Sequence, residues 1–273
     1  IAQWMGFGFI HGVMNTDNMS ISGETIDFGP CAFMEAYNPQ TVFSSIDAQG
    51  RYAYANQPAI AKWNLSRFAS ALLPLIHEDE AQASAMALVA LNEFDARYTE
   101  ESLAVWRVKL GLGIADASAQ DNQADLQLAL DFLQLLQDQG IDFTKGWRCL
   151  VDVLVADIEF ETAQPKSNSF ATLFSNSENA NNRYPRWQQR LQQQTAVRHK
   201  QLASMQRANP IYIARNHLVE EALYNATVQN DWTAFNVLLA AIQNPFQVGE
   251  HDTKLASPAP AEITACYKTF CGT

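Results

Sequence analysis

Asp17, Asn18 and Asp27 are the residues whose types and spacing carry the most chemistry in this sequence. Two carboxylates and a carboxamide in one short stretch offer hard oxygen donors. Such donors suit Mg²⁺ or Mn²⁺ bridging nucleotide phosphates, because these ions keep several waters and take only one or two protein carboxylates. A carboxylate beside the ion, here Asp17, is placed to accept a proton from an incoming hydroxyl or to orient a nucleophile. Residues alternate on either side of Gly23-Glu24, which predicts a short β-hairpin holding Asn18 and Asp27 near each other at its open end.

The same residues bear comparison with protein kinases, where a His-Arg-Asp loop ends in an Asn five residues after its Asp and a later Asp-Phe-Gly supplies a second metal ligand. His11 and Asn18 keep the kinase interval, and Asp27-Phe28-Gly29 matches the second motif literally. The position of the kinase catalytic Asp is held by Val13, which cannot accept a proton. Asp17 is the nearby carboxylate left to take over that role. His11 is read as a histidine that holds the loop rather than one that reacts.

The elements that must position these groups are mostly helical. Residues 1–60 are rich in Gly, Asn, Asp, Tyr and Pro, while most of the chain beyond residue 60 has helical periodicity. Trp63, Leu65, Phe68, Leu72 and Leu75 predict an amphipathic helix over 62–75 with its aromatic residues in the core. Further helices are expected at 78–96, 99–111, 121–139, 144–160, 187–206, 210–227 and 231–243. Gly140 is expected to take the left-handed position past a helix, and Asn230-Asp231 to cap one. The Ser- and Asn-rich stretch 162–185 reads as a loop, and the tail from Asn244 as irregular. The expected fold class is mainly α with a short β-hairpin near the N-terminus.

Composition narrows the partners. Eighteen basic residues face twenty-nine acidic ones, a net charge of -11 that repels a nucleic-acid backbone in the absence of a basic cluster. No apolar run approaches the roughly 18 residues needed to span a bilayer, and no secretion signal is visible. The reading is a cytoplasmic, bacterial protein. Four cysteines are too few for a disulfide scaffold in a chain of this size. The start at Ile1, inside the segment IAQWMGFGFIHG, suggests a fragment whose N-terminal part lies elsewhere.

The run HGVMNTDNMSISGETIDFGPCAFMEAYNPQTVFSSIDAQGRYAYANQPAIAKWNL closely resembles the selenoprotein O family, also called YdiU. The resemblance resumes at NPIYIARNHLVEEAL and in the Cys-containing last residues. It implies the C-terminal lobe of a kinase-like, pseudokinase fold over 1–161, a loop or insertion over 162–186, and family-specific helices with a Cys-containing tail over 187–273. It also implies a protein adenylyltransferase that moves AMP from ATP to Ser, Thr or Tyr hydroxyls, with Asp17 as base and Asn18 and Asp27 on the metal. UMP transfer from UTP has been assigned to bacterial members, and a kinase or a non-catalytic pseudokinase module are the other readings. The family's nucleotide-holding N-terminal lobe would precede Ile1, so this chain alone is expected to be inactive. Asp47, Gln49, Arg51 and Tyr52 either shape a substrate-facing segment or pack beside it.

The resemblance also bears on the cysteines. Some family members carry selenocysteine third from the end, the position of Cys271. Bacterial members usually show Cys-x-x-Cys, whereas Cys266 and Cys271 are separated by four residues, Lys268 among them. Cys31, four residues after Asp27, is a candidate partner for one tail cysteine in a redox-controlled disulfide.

Overall fold

The computed structural model describes residues 1–113, 118–160, 170, 173–174, 178–194, 197–249 and 253–270. It is mainly helical. The helices are α1 (Ala2–Phe7), α2 (Gln57–Ile76), α3 (Glu80–Leu110), α4 (Ala119–Asp138), α5 (Phe143–Phe160), α6 (Glu178–Gln192), α7 (Arg198–Ala208), α8 (Asn216–Val228), α9 (Thr233–Gln243), α10 (Thr253–Ala256) and α11 (Ala261–Cys266). Strands β1 (Phe9–Ile10) and β2 (Ala32–Phe33) form a two-stranded sheet.

Several expectations are redrawn. The helices read at 78–96 and 99–111 are one helix, α3, since nothing between them breaks helical geometry. The span 187–206 is instead two helices, α6 and α7. The stretch 162–185 is helical from Glu178, with Pro185 inside α6, and the tail holds α10 and α11. Gly140 has φ +60, but the N-cap of α9 is Trp232 rather than Asn230 or Asp231; Asp231 Oδ1 accepts from the Thr233 backbone N–H at 2.9 Å just ahead of it. The expected hairpin is reduced to a single antiparallel bridge, Met19 with Thr25, closed by Gly23 N–H donating to Ser20 O.

The described residues fall into two compact units: Ile1–Ala32 with Asn38–Ser102 and Tyr267–Thr273, and Phe33–Tyr37 with Leu103–Cys266. In the first, α2 corrects the amphipathic reading. Its buried residues are Gln57, Ala61 and Asn64, while Trp63, Leu65, Phe68 and Leu75 are exposed. The helix is seated by polar side chains because it packs against loop backbone, whose N–H and C=O groups demand hydrogen-bond partners when buried.

The second unit has an aromatic core in which Trp147, fully buried, stacks on Trp106 and meets Phe132 edge to face. A separate cluster joins α8 and α9 through Leu218, Ala222, Leu238 and Ala241, with Tyr212 and Leu255. Arg215 is fully buried within this unit. It bonds both oxygens of Asp142 at 2.8 and 3.0 Å, donates to Glu35 Oε2, and donates to the Ala256 carbonyl. Burial pushes the Glu35 carboxyl up to about 7, against the pull of Arg215 and with Asp142 adding to the rise.

Candidate functional site

The loop after β1 folds on buried polar anchors. Gln57 Oε1 accepts from the His11 backbone N–H at 3.0 Å, while Gln57 Nε2 donates to Phe9 O at 2.9 Å. Asn64 Nδ2 donates to Met14 O at 3.0 Å, and Tyr52 Oη donates to Asn15 Oδ1 at 2.7 Å. Each such bond contributes about 1 kcal/mol net, and losing one of the buried Gln57 or Asn64 bonds strands a buried group at greater cost, whereas the Tyr52 bond to Asn15 is exposed. Thr16–Asn18 then makes one turn of 3₁₀ helix. With three residues per turn, consecutive side chains diverge, so neighbours there serve different directions.

Asn18 and Asp17 divide on this turn. Asn18 Nδ2 donates to Val13 O at 3.0 Å, which orients the carboxamide and leaves its oxygen uncommitted to Val13. Asp17 is exposed and, among the described residues, forms no ion pair. Val13 thus serves the loop through its carbonyl, with its side chain buried.

The second loop is pinned to the first on both sides of Asp27. The buried His11 ring donates from Nε2 to Ile26 O at 2.8 Å, which fixes the tautomer with its proton on Nε2. Gly12, at φ +87, lies so close to Pro30 that a Cβ there would sit 2.6 Å from the Pro30 oxygen. That same oxygen accepts from Thr269 Oγ1 at 2.7 Å in a buried bond. Thr269 is itself held by backbone bonds to Phe43 O and from Ser45 N. Asp27 lies between these anchors at φ 55, a left-handed conformation that Asp tolerates better than most residues. Its carboxylate is exposed and forms no ion pair among the described residues. The two loops are therefore registered by His11, Gly12, Pro30 and Thr269 rather than by a hairpin.

The donor set fits a hard divalent cation. No group of three or more His, Cys, Asp or Glu side chains converges on a metal position among the described residues. Two side chains, one carboxylate and one carboxamide, match the partial protein shell that Mg²⁺ accepts when phosphates and water complete its coordination.

Cys31 is half-buried and a free thiol, and burial raises its pKa, with the Asp27 charge adding to the rise. Cys271 and the Cys266 side chain lie outside the described residues, and so does their expected pairing. Gln57, Asn64, Gly12 and Thr269 escaped the sequence reading. The one signal available for Asn64 was its position inside an otherwise apolar helical run.

The comparisons with known proteins bear on this arrangement. The family described as "Protein adenylyltransferase SelO" matches residues 1–243. This chain belongs to that family. It is 47% identical over 274 residues to a protein of Chromobacterium violaceum named "Protein nucleotidyltransferase YdiU", covering all of this chain and 54% of that protein. Proteins of the same name from Rhizobium etli and Geobacillus kaustophilus are 44% and 43% identical, again across the whole chain and 52% of each relative. The chain spans about half the length of the curated relatives it matches. No helix among its described residues is long and apolar enough to cross a membrane.

Proposed function

We propose that this chain carries the acceptor-activating and metal-holding residues of a protein adenylyltransferase with a kinase-like catalytic lobe. The observation that carries the reading is the Asn18 carboxamide, turned by the Val13 carbonyl, with the exposed Asp17 next to it in the chain and the exposed Asp27 on the loop that His11 and Gly12 hold in register, neither in an ion pair among the described residues. Asp17 takes the proton of a Ser, Thr or Tyr hydroxyl as its oxygen attacks the α-phosphorus of ATP. The bond from that phosphorus to the bridging oxygen breaks, and pyrophosphate leaves. Asn18 and Asp27 would hold Mg²⁺ or Mn²⁺, which supplies charge neutralisation at the phosphates. His11 keeps the two loops in register through the bond from its Nε2–H to Ile26 O.

Transfer of UMP from UTP is the second reading, left open by the relatives' name, which does not specify the base. Label from the α-position of ATP or UTP, compared in the full-length polypeptide with Mg²⁺ and with Mn²⁺, separates the two. Label arriving from the γ-position would instead identify a kinase, and nucleotide binding without transfer a pseudokinase module. Asp17→Ala is expected to lower transfer by about 10²–10⁴-fold with unfolding unchanged. Near-normal transfer by that variant would remove Asp17 from the mechanism. The pairing of Cys31 with Cys266 or Cys271 belongs to the same proposal. Alkylation of all four cysteines without prior reduction would count against it.

A further inference from the structure

Beside the catalytic loop the first unit carries an aromatic platform loaded with positive charge. Trp63 is 43% exposed on α2. The Arg51 guanidinium carbon lies 4.7 Å from the Trp63 ring centroid and 5.6 Å from that of Tyr52. From the same helix, Arg67 approaches the Trp63 ring at 5.5 Å. Both arginines are exposed, and among the described residues neither forms an ion pair. Arg67 has one side-chain bond, 3.3 Å from Nε to Ser66 Oγ.

The neighbouring charges are already engaged. Both Asp47 carboxylate oxygens accept backbone N–H groups, from Arg51 at 2.9 Å and Tyr52 at 2.8 Å, which shapes the turn carrying Arg51. Lys62 pairs with Asp95. A guanidinium held over an aromatic ring by cation–π attraction keeps N–H donors for a further partner, so with no ion pair among the described residues the two arginines can receive an anion. In a chain of net charge -11, two arginines on one indole without ion pairs among the described residues are a local inversion of sign.

The platform is tied directly to the chemistry. Tyr52 donates to Asn15, two residues before Asp17, and Asn64, next to Trp63, donates to Met14. Two residues of extended chain span about 7 Å at most, the scale of a few residues on a bound peptide.

We propose that Arg51 and Arg67 on Trp63 receive acidic side chains that flank the acceptor hydroxyl of the protein substrate. This rests on the transferase reading for its meaning, although its binding step is measurable without transfer. The probe is a short peptide holding one serine flanked by glutamates, together with its glutamine counterpart. Each is titrated against the full-length polypeptide as wild type, as the double variant Arg51→Gln with Arg67→Gln, and as Trp63→Leu.

The double variant is expected to bind the glutamate peptide about tenfold more weakly, the sum expected for two exposed charge pairs. Trp63→Leu should fall between it and wild type. Binding of the glutamine peptide and of ATP should be unchanged, and thermal unfolding confirms that the variants fold. Equal binding of the glutamate and glutamine peptides by wild type would overturn the proposal. So would a double variant that loses affinity for ATP while keeping that for the glutamate peptide, which would make the platform a nucleotide-phosphate site. Absence of transfer in wild type would instead count against the transferase function, leaving the peptide titration to decide this one.

Discussion

In the second unit, Arg215 is fully buried and directs its donors to Asp142 and Glu35, whereas in the first Asp17 and Asp27 lie exposed with no ion pair among the described residues. Arg107 and Arg190 around the buried Asp125 repeat the pattern of the second unit. A charge taken out of water must find its counter-charge inside the protein. A charge kept in water remains free to meet a ligand. The first unit accordingly anchors its loops with neutral groups, the Gln57 and Asn64 amides and the Thr269 hydroxyl, and leaves Asp17 and Asp27 without ion pairs among the described residues.

The contrast breaks most visibly at Arg215. Arg215→Met strands Glu35 and Asp142 in a buried site and should lower stability by about 3–5 kcal/mol, read from urea unfolding of the full-length polypeptide. Gly12→Ala tests whether close backbone approach registers the two loops of the first unit. The forbidden contact with Pro30 and the positive φ should cost about 2 kcal/mol and lower transfer, although residue 12 carries no reacting group.

Glu35 sharpens the comparison through pH. Its folded-state value of about 7 lies above the unfolded value of about 4.3. The folded state therefore holds more protons between them, and stability falls as pH rises across that window and levels off above it. Glu35→Gln should flatten this part of the profile, seen by comparing urea midpoints at about pH 5 and about pH 8. The smallest effect is expected at Asp27. Its φ of 55 suits glycine, so Asp27→Gly should be more stable than Asp27→Ala by about 1 kcal/mol. Both variants should lose metal-dependent nucleotide binding equally.

The candidate site was legible because its residues are picked out by type and short spacing. Asp17, Asn18 and Asp27 carry side-chain oxygen donors, and Val13 carries none, wherever the chain goes. The helical character after residue 60 was equally open to reading, because periodicity is a local property. The face of α2 was not. A 3.6-residue pattern of Trp63, Phe68, Leu72 and Leu75 predicts which residues are apolar, but the loop backbone against α2 selected Gln57 and Asn64 for burial and left Trp63 outside. The boundary between the expected helices at 78–96 and 99–111 failed for a related reason, since charged residues there signal solvent and not a break.

By itself, then, the amino-acid sequence determined the candidate oxygen donors, the family and the predominance of helix, all of them properties of residue identity and near-neighbour order. Only the tertiary structure decided how the two loops meet. The bonds from His11 to Ile26 and from Thr269 to Pro30, and the contact of Gly12 with Pro30, join positions 15, 239 and 18 residues apart, and no local pattern encodes them. It also decided which arginines are neutralised: Arg215 sits among buried carboxylates, while Arg51 and Arg67 lie over an indole without ion pairs among the described residues.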